Sequence, residues 1–114
     1  QTILITGGTT GLGLESAKRL AIGGPTQIIL TARTHSKGQA AVQAVLDHLQ
    51  EDKVLDDCIV SYRLLDLDNF QGIRKAVDGW MENDFPEIDV LLNNAGVMAI
   101  SDRQMTVDGV EKQM

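Results

Sequence analysis

Residues 6–13 read TGGTTGLG, and this segment decides the fold of the chain. It stands between a short aliphatic run and a stretch whose apolar residues have the spacing of a helix. Glycines at a strand-to-helix junction let the backbone approach a pyrophosphate, which then lies on the N-terminus of the helix. The segment therefore predicts a phosphate-binding turn inside a βα unit.

A P-loop for nucleoside triphosphates is one alternative for this segment. Gly8 and Gly13 have the spacing of that loop, but Leu14 and Glu15 follow where Lys and Ser or Thr must reach the phosphates and the magnesium ion. The sequence therefore excludes a P-loop NTPase. The commonest dinucleotide fingerprint, G-x-G-x-x-G, is not met either, because this loop has the spacing T-G-x-x-x-G-x-G. A glycine-rich turn without a ligand stays open as the structural alternative.

Apolar runs of strand length alternate with helix-period segments along the chain. This alternation is typical of βαβ units around a parallel sheet that is buried on both faces. The predicted fold is a Rossmann-type α/β doubly wound sheet, of which residues 1–114 hold the first four βα units of one domain. The predicted strands are about Thr2 to Thr6, Gln27 to Ala32, Ile59 to Leu65 and Ile88 to Leu92. The first predicted helix follows the glycine loop, the second spans about Lys37 to Gln50, and the third includes Phe70 to Met81. A fourth is predicted to begin near Thr106, with Asp108 and Glu111 in or near its first turn.

A second motif, Asn93-Asn94-Ala95-Gly96, directly follows the fourth predicted strand. Together with T-G-x-x-x-G-x-G after the first strand, it resembles the short-chain dehydrogenase/reductase family over nearly the whole chain. The resemblance implies an oxidoreductase that transfers a hydride between a nicotinamide cofactor and a carbonyl/alcohol substrate. Residues 11–14, 31–33 and 93–111 are similar to the retinol dehydrogenase and protochlorophyllide reductase-like branch, which implies an apolar small-molecule substrate. The family also implies a homo-oligomer.

The resemblance assigns cofactor-binding residues position by position. Those in the first loop, which would contact the cofactor phosphates and ribose, are Gly7, Thr9, Thr10, Gly11, Leu12 and Gly13. The pair that would lie beside the adenine ring is Asp66 and Leu67. Those that would line the nicotinamide-side ribose are Asn93, Ala95 and Gly96, whereas Asn94 would brace the sheet. Capping of a helix N-terminus is the alternative role of Asp66 and Asp68.

The end of the second predicted strand indicates which nicotinamide cofactor binds. Proteins that prefer NAD place Asp or Glu about 20 residues past the glycines, where it binds the ribose 2′-hydroxyl. Here Arg33 stands in a segment without a carboxylate, and its guanidinium suits the oxygens of a 2′-phosphate. A charge-assisted hydrogen bond contributes roughly 1.5 to 3 kcal/mol, which is sufficient to select NADP(H). Lys37 is a weaker candidate for the same phosphate, and a solvated surface lysine is the favoured interpretation of it. For Arg33, a solvated surface arginine is the alternative interpretation.

We expect the catalytic residues beyond Met114. In the family a tyrosine and a lysine stand in a Tyr-x-x-x-Lys motif, which puts both side chains on one helical face. The only tyrosine, Tyr62, has Asp66 at that spacing and is assigned to the third strand. The fourth strand, at a sheet edge, is too apolar to stay unpaired. We therefore expect a longer chain, or a second chain, to complete the enzyme, and no turnover from these residues alone. His35 and His48 lack the spacing of a metal or nucleophilic site, so no metal is predicted.

Charge and cysteine content restrict the partners and the compartment. Ten Lys and Arg residues against sixteen Asp and Glu residues give a net charge of −6, which argues against a nucleic acid partner. The single cysteine, Cys58, cannot form an internal disulfide and favours an intracellular, cytoplasmic setting. No apolar run approaches the ~20 residues of a membrane-spanning helix. A targeting or anchoring segment upstream of Gln1 stays open, and with it an organelle or membrane association.

Two other functions share the glycine loop. A catalytically silent NADP(H)-binding module, acting as a regulator or scaffold, would lack the downstream Tyr-x-x-x-Lys motif. An S-adenosylmethionine methyltransferase would have an acidic residue near Arg33 to hold the ribose hydroxyls, and the sequence has none there.

Overall fold

The computed structural model describes residues 1–51, 58–85, 87–97 and 100–113. Its elements in chain order are β1 (Thr2–Ile5), α1 (Gly11–Ile22), β2 (Gln27–Ala32), α2 (His35–Glu51), β3 (Ile59–Leu64), α3 (Phe70–Asn83) and β4 (Val90–Leu92). The chain divides into two compact units. The first unit contains Gln1–Leu64 and Glu87–Ala95, and the second contains Leu65–Pro86 and Gly96–Met114. That residues 1–114 form one domain stays a prediction.

The four strands form one parallel sheet in the order β3-β2-β1-β4. In the middle of the sheet, Leu4 of β1 pairs with Ile29 of β2 on one side and with Leu91 of β4 on the other. The strand order reverses at β1, and in sheets of this kind ligands bind at the carboxyl ends of the strands beside the reversal. The predicted Rossmann-type α/β fold is therefore confirmed.

Successive apolar side chains make β1 and β2 the centre of the first unit. A parallel sheet covered on both faces requires such runs, and Ile5, Ile28, Ile29 and Leu30 are fully buried. Helices α1 and α2 pack on this core with small and aliphatic residues at helical spacing. Burial of one aliphatic side chain stabilises a fold by about 1.5 to 3 kcal/mol. The residues of this cluster are Ile3, Ile5, Ala17, Ala21, Ile28, Leu30, Ala41, Val45, Leu49 and Cys58.

The predicted boundaries agree with the observed elements to within about two residues, which is the usual scatter at element ends. Helix α2 begins at His35, before the predicted Lys37, because Thr34 caps it: the Lys37 backbone N–H donates to Thr34 Oγ1 at 3.3 Å. Strand β4 begins at Val90 and lies at the predicted edge of the sheet, where Leu91 is 53% exposed.

In the second unit, α3 begins after Asn69, whose side chain accepts the Gly72 N–H at 2.9 Å. Near the other end of the helix, the rings of Trp80 and Phe85 lie 6.0 Å apart. Every residue of α3 is described, and Trp80 is its one buried residue, whereas Phe70 is 51% exposed. The apolar face predicted for this helix is therefore buried only in part.

The helix predicted to begin near Thr106 is wrong. The described residues there form a turn, closed by an antiparallel bridge between Met105 and Glu111. The Thr106 hydroxyl accepts the Asp108 N–H at 3.3 Å within the turn. Gly109 adopts a φ of 78°, a left-handed conformation that ends any helix and that glycine adopts without a steric penalty.

Among the residues that the structure describes, no helix combines the length and the apolar character that crossing a bilayer requires.

Replacing Gly38 with alanine is expected to lower the free energy of unfolding by about 1 to 3 kcal/mol, because a Cβ there would lie 2.5 Å from Cγ of the Tyr62 ring. Gly79→Ala is the matched control in α3, since no described atom lies within 4 Å of its Cβ position. This change should stabilise the protein by about 0.5 to 1 kcal/mol. Urea unfolding of both variants measures the difference, and a stabilising Gly38→Ala would contradict the observed packing of α2 on β3.

Candidate functional site

The two sequence motifs meet at the carboxyl ends of β1 and β4. Thr6, directly after β1, donates its backbone N–H to the Leu92 carbonyl of β4 at 3.1 Å. Its buried hydroxyl oxygen accepts the N–H groups of Asn94 at 3.2 Å and Ala95 at 3.1 Å. One threonine side chain therefore fixes the path of the backbone that leaves β4.

The side chain of Asn94 bridges the same two segments. Its Nδ2 group donates to the carbonyl of Thr6 at 3.2 Å and to the carbonyl of Gly7 at 3.1 Å. Both carbonyls lie where β1 turns into the loop. The predicted bracing role of Asn94 agrees with these contacts.

Three glycines of the loop are packed too closely for a side chain. Gly7 has a φ of 66°, and a Cβ there would lie 2.8 Å from the Cα of Ala95. A Cβ at Gly8 would lie 2.7 Å from Cδ2 of Leu30, and one at Gly13 would lie 2.5 Å from the Gly7 carbonyl oxygen. These glycines let the loop pack directly on the strands behind it and on the first turn of α1.

The opposite side of the loop is open. No described atom lies within 4 Å of the Cβ position of Gly11, and Leu12 is 82% exposed. Thr10 is the N-cap of α1, yet its side chain makes no capping hydrogen bond, and the first turn contains no acidic residue. Thr9 is half-buried beside it. Backbone N–H groups at such a helix start, together with the helix dipole, attract an anion.

The carboxyl end of β2 adds a positive charge. Thr31 Oγ1 accepts the Gly7 N–H at 3.3 Å, so β2 also supports the loop. Arg33 follows β2 directly and is exposed, and within the described residues its side chain has no hydrogen bond or ion pair. Lys37, in the first turn of α2, is exposed as well. The guanidinium of Arg33 is thus available to an anionic ligand.

Three of the predicted site residues, Asp66, Leu67 and Gly96, belong to the second unit. All three are exposed. Asp66 Oδ1 accepts the N–H of Asp68 at 3.0 Å, and the N-cap of α3 is Asn69. The alternative in which Asp66 or Asp68 caps the helix is therefore wrong.

The remaining candidates are explained by their elements. Asn93 and Ala95 are exposed beside Asn94, and the side chain of Asn93 makes no hydrogen bond to any described residue. Tyr62 lies in β3, as predicted, with its hydroxyl 2.9 Å from Nδ1 of His35. No group of three metal-ligating side chains occurs among the residues described.

Sequence reasoning assigned no role to three residues that shape the loop, Thr6, Gly8 and Thr31. For Gly8 a signal was present, because a second glycine directly after a buried strand indicates close backbone packing. For the two threonines the signal was weaker. A polar residue at the end of a buried apolar run needs a hydrogen-bond partner.

Comparison with protein families and with known proteins places these motifs in context. The family model for short chain dehydrogenase matches residues 1–114. The chain is 39% identical over 109 residues to the short chain dehydrogenase rstn4 of Aspergillus nomiae, covering 96% of this chain and 27% of that protein. It is 31% identical over 114 residues to retinol dehydrogenase 12 of Bos taurus, covering 100% of this chain and 33% of that protein. The chain thus spans about a third of the length of these relatives.

Solved structures with the same fold hold different nicotinamide cofactors. A short-chain dehydrogenase from Sphingobium yanoikuyae in complex with NADPH superposes with a TM-score of 0.69 at 28% identity, covering 98% of this chain and 41% of that one. An NAD⁺-bound xylitol dehydrogenase superposes with a TM-score of 0.68 at 28% identity, covering 85% of this chain and 34% of that one. Similarity of fold therefore leaves the choice between the two cofactors open.

Replacing Asn94 with aspartate is expected to lower the free energy of unfolding by about 1 to 3 kcal/mol, since a carboxylate facing the Thr6 and Gly7 carbonyls donates no hydrogen bond to them. Asn93→Asp introduces the same charge one residue away on an exposed side chain, and should change stability by less than about 0.5 kcal/mol. Urea unfolding followed by circular dichroism measures both variants. Equal losses would show that charge, rather than the lost hydrogen bonds, causes the effect.

Proposed function

The chain belongs to the short-chain dehydrogenase family, and on that premise we propose that it forms the NADP(H)-binding part of an oxidoreductase. When bound, the nicotinamide would donate or accept a hydride, with a carbonyl/alcohol pair as the substrate. The residues of this chain would bind and orient the dinucleotide. The observation that carries the proposal is the loop of residues 6–13, which is closely packed against Ala95 and Leu30 on one side and open at Gly11 on the other.

The open side of this loop suits a pyrophosphate. The Thr10 side chain accepts no hydrogen bond from the first-turn N–H groups of α1, so these groups would be available to donate to phosphate oxygens. The absence of a side chain at Gly11 would let the phosphates come close to the backbone. A negative group at an exposed helix N-terminus gains about 0.3 to 1 kcal/mol from the dipole, in addition to its hydrogen bonds.

Arg33 would select NADP(H) over NAD(H). A carboxylate at the end of β2 would bind a 2′-hydroxyl and repel a 2′-phosphate, whereas an arginine attracts the 2′-phosphate. Support comes from the exposure of Arg33 and from its lack of a partner among the described residues. Lys37 would add a second, weaker contact.

The other cofactor contacts rest on the family resemblance alone. Asp66 and Leu67 would lie beside the adenine ring, and Asn93, Ala95 and Gly96 would line the nicotinamide-side ribose. The family and the similarity to a retinol dehydrogenase support an apolar small molecule as substrate. Catalytic residues beyond Met114, a homo-oligomeric enzyme and a cytoplasmic setting belong to the same proposal.

The cofactor assignment predicts the effect of Arg33→Ala in the longest protein that carries these residues. We expect its affinity for NADPH to fall about tenfold or more, because a charge-assisted hydrogen bond to the 2′-phosphate is lost. NADH affinity should stay nearly unchanged, since NADH has no such phosphate. Fluorescence titration with each nucleotide at low ionic strength measures both values, because salt screens an exposed charge.

Arg19→Ala is the matched control, since Arg19 is an exposed arginine in the last turn of α1, at the opposite end of that helix from the glycine loop. It should leave the ratio of NADPH to NADH affinity unchanged. If the unaltered protein binds NADH as tightly as NADPH, the assignment of NADP(H) is wrong. If a folded protein binds neither nucleotide, the proposed enzyme is wrong as well.

A further inference from the structure

A turn after the Asn-Asn-Ala-Gly motif contacts the start of α3 within the second unit. Asp108 Oδ2 accepts the backbone N–H of Phe70, the first residue of α3, at 2.7 Å, although the two residues are 38 positions apart. Asn69 accepts the Gly72 N–H in the same helical turn. Two N–H groups of this turn are thus bound by side chains, one local and one from a distant segment. A carboxylate at this position is also favoured by the helix dipole.

A second contact joins the same two segments. Nζ of Lys112 lies 3.2 Å from Oδ2 of Asp68, and both side chains are partly shielded from solvent. The Lys112 backbone N–H donates to the Gln104 carbonyl at 2.9 Å, which holds this lysine in the turn. Residues 104–112, here called the docking turn, therefore contact the chain on both sides of Asn69.

The docking turn is closed by hydrogen bonds of its own. The Thr106 hydroxyl accepts the N–H of Asp108 at 3.3 Å and that of Val110 at 3.2 Å. Its backbone N–H donates to the Val110 carbonyl at 2.7 Å. The Asp108 carboxylate is thus presented by a turn with its own hydrogen bonds.

The segment that the docking turn holds contains the two residues assigned to the adenine ring. Asp66 Oδ1 accepts the N–H of Asp68, the residue that pairs with Lys112. Contacts therefore connect the docking turn to Asp68 and Asp68 to Asp66, and Leu67 lies between these two aspartates in the sequence. Exposed loop residues such as Asp66 and Leu67 need support of this kind to keep one conformation.

We propose that the docking turn, through Asp108 and Lys112, positions Asp66 and Leu67 for the adenine end of the cofactor. The inference rests on the proposed function, because it needs a dinucleotide to bind here. Its physical basis is preorganisation. When only a fraction of the protein has the conformation that binds, the apparent affinity for the ligand is reduced to that fraction of its intrinsic value. Asp108 and Lys112 act as positioning residues in this account, without touching the cofactor.

The test is Asp108→Ala in the longest protein that carries these residues, titrated by calorimetry with NADPH, with adenosine 2′,5′-bisphosphate and with nicotinamide mononucleotide. We expect the affinities for NADPH and for the bisphosphate to fall by the same factor, about three- to tenfold. Affinity for nicotinamide mononucleotide, which lacks the adenine end, should not change. Asp108→Asn keeps an acceptor oxygen of the same reach and should recover most of the loss.

Two further variants keep the test decisive. Asp102→Ala is the matched control, because Asp102 is an exposed aspartate of the neighbouring loop with no hydrogen bond or ion pair to any described residue. Its three affinities should equal those of the unaltered protein. If Asp108→Ala does not fold, Lys112→Met removes the second contact alone and should weaken bisphosphate binding about twofold.

The outcomes separate this inference from the proposed function. Unchanged bisphosphate affinity in a folded Asp108→Ala or Lys112→Met variant overturns the inference while NADPH binding by the unaltered protein stands. An equal loss for bisphosphate and mononucleotide also overturns it, since that pattern indicates general destabilisation. A folded, unaltered protein that binds none of the three ligands overturns the proposed function and, with it, the inference.

Discussion

The carbonyl oxygens of Thr6 and Gly7 both accept hydrogen bonds from one amide group, that of Asn94, and the arrangement of the nucleotide-binding edge depends on this contact. Where a strand turns into a loop, its carbonyls leave the sheet ladder and need other partners. The primary amide is well suited because it carries two N–H donors on one nitrogen. A Cβ at Gly13 would clash with the same amide nitrogen. Two motifs more than eighty residues apart are thus parts of a single constraint.

This constraint gives the glycines of one motif different functions. Gly7, Gly8 and Gly13 are needed because neighbouring atoms occupy the positions of their side chains. Gly11 has no such neighbour among the described residues, but its φ of 57° lies in the left-handed region, which favours glycine. Close packing therefore explains Gly7, Gly8 and Gly13, and backbone conformation explains Gly11. Both reasons belong to the fold and hold without a ligand.

Much of the fold could be predicted from the sequence because the deciding signals are local. The apolar runs of β1 and β2 do not have the spacing of an amphipathic helix, and the spacing of the glycines identifies the turn between β1 and α1. The error near Thr106 came from the same local logic, because threonine followed by acidic residues fits both a helix cap and a turn. The decision there lies in Gly109 and in the contact of Asp108 with Phe70, and sequence spacing does not reveal a partner 38 residues away. The helix-capping alternative for Asp66 and Asp68 failed for a local reason, since Asn69 stands closer to the helix start and caps it.

In the proposed function, the residue that selects the cofactor is not one of those that build the core of the fold. Arg33 is exposed, and its side chain makes no hydrogen bond or ion pair with the described residues, so we expect its replacement to leave the packing of β2 intact. Surface positions of this kind usually change stability by less than about 0.5 kcal/mol. The same backbone can therefore carry an arginine or an acid after β2, which agrees with NADPH and NAD⁺ complexes among structures of equal similarity to this chain. Because the proposed selectivity depends on one residue outside the core, it has to be inferred from the charge at that position rather than from the likeness of the fold.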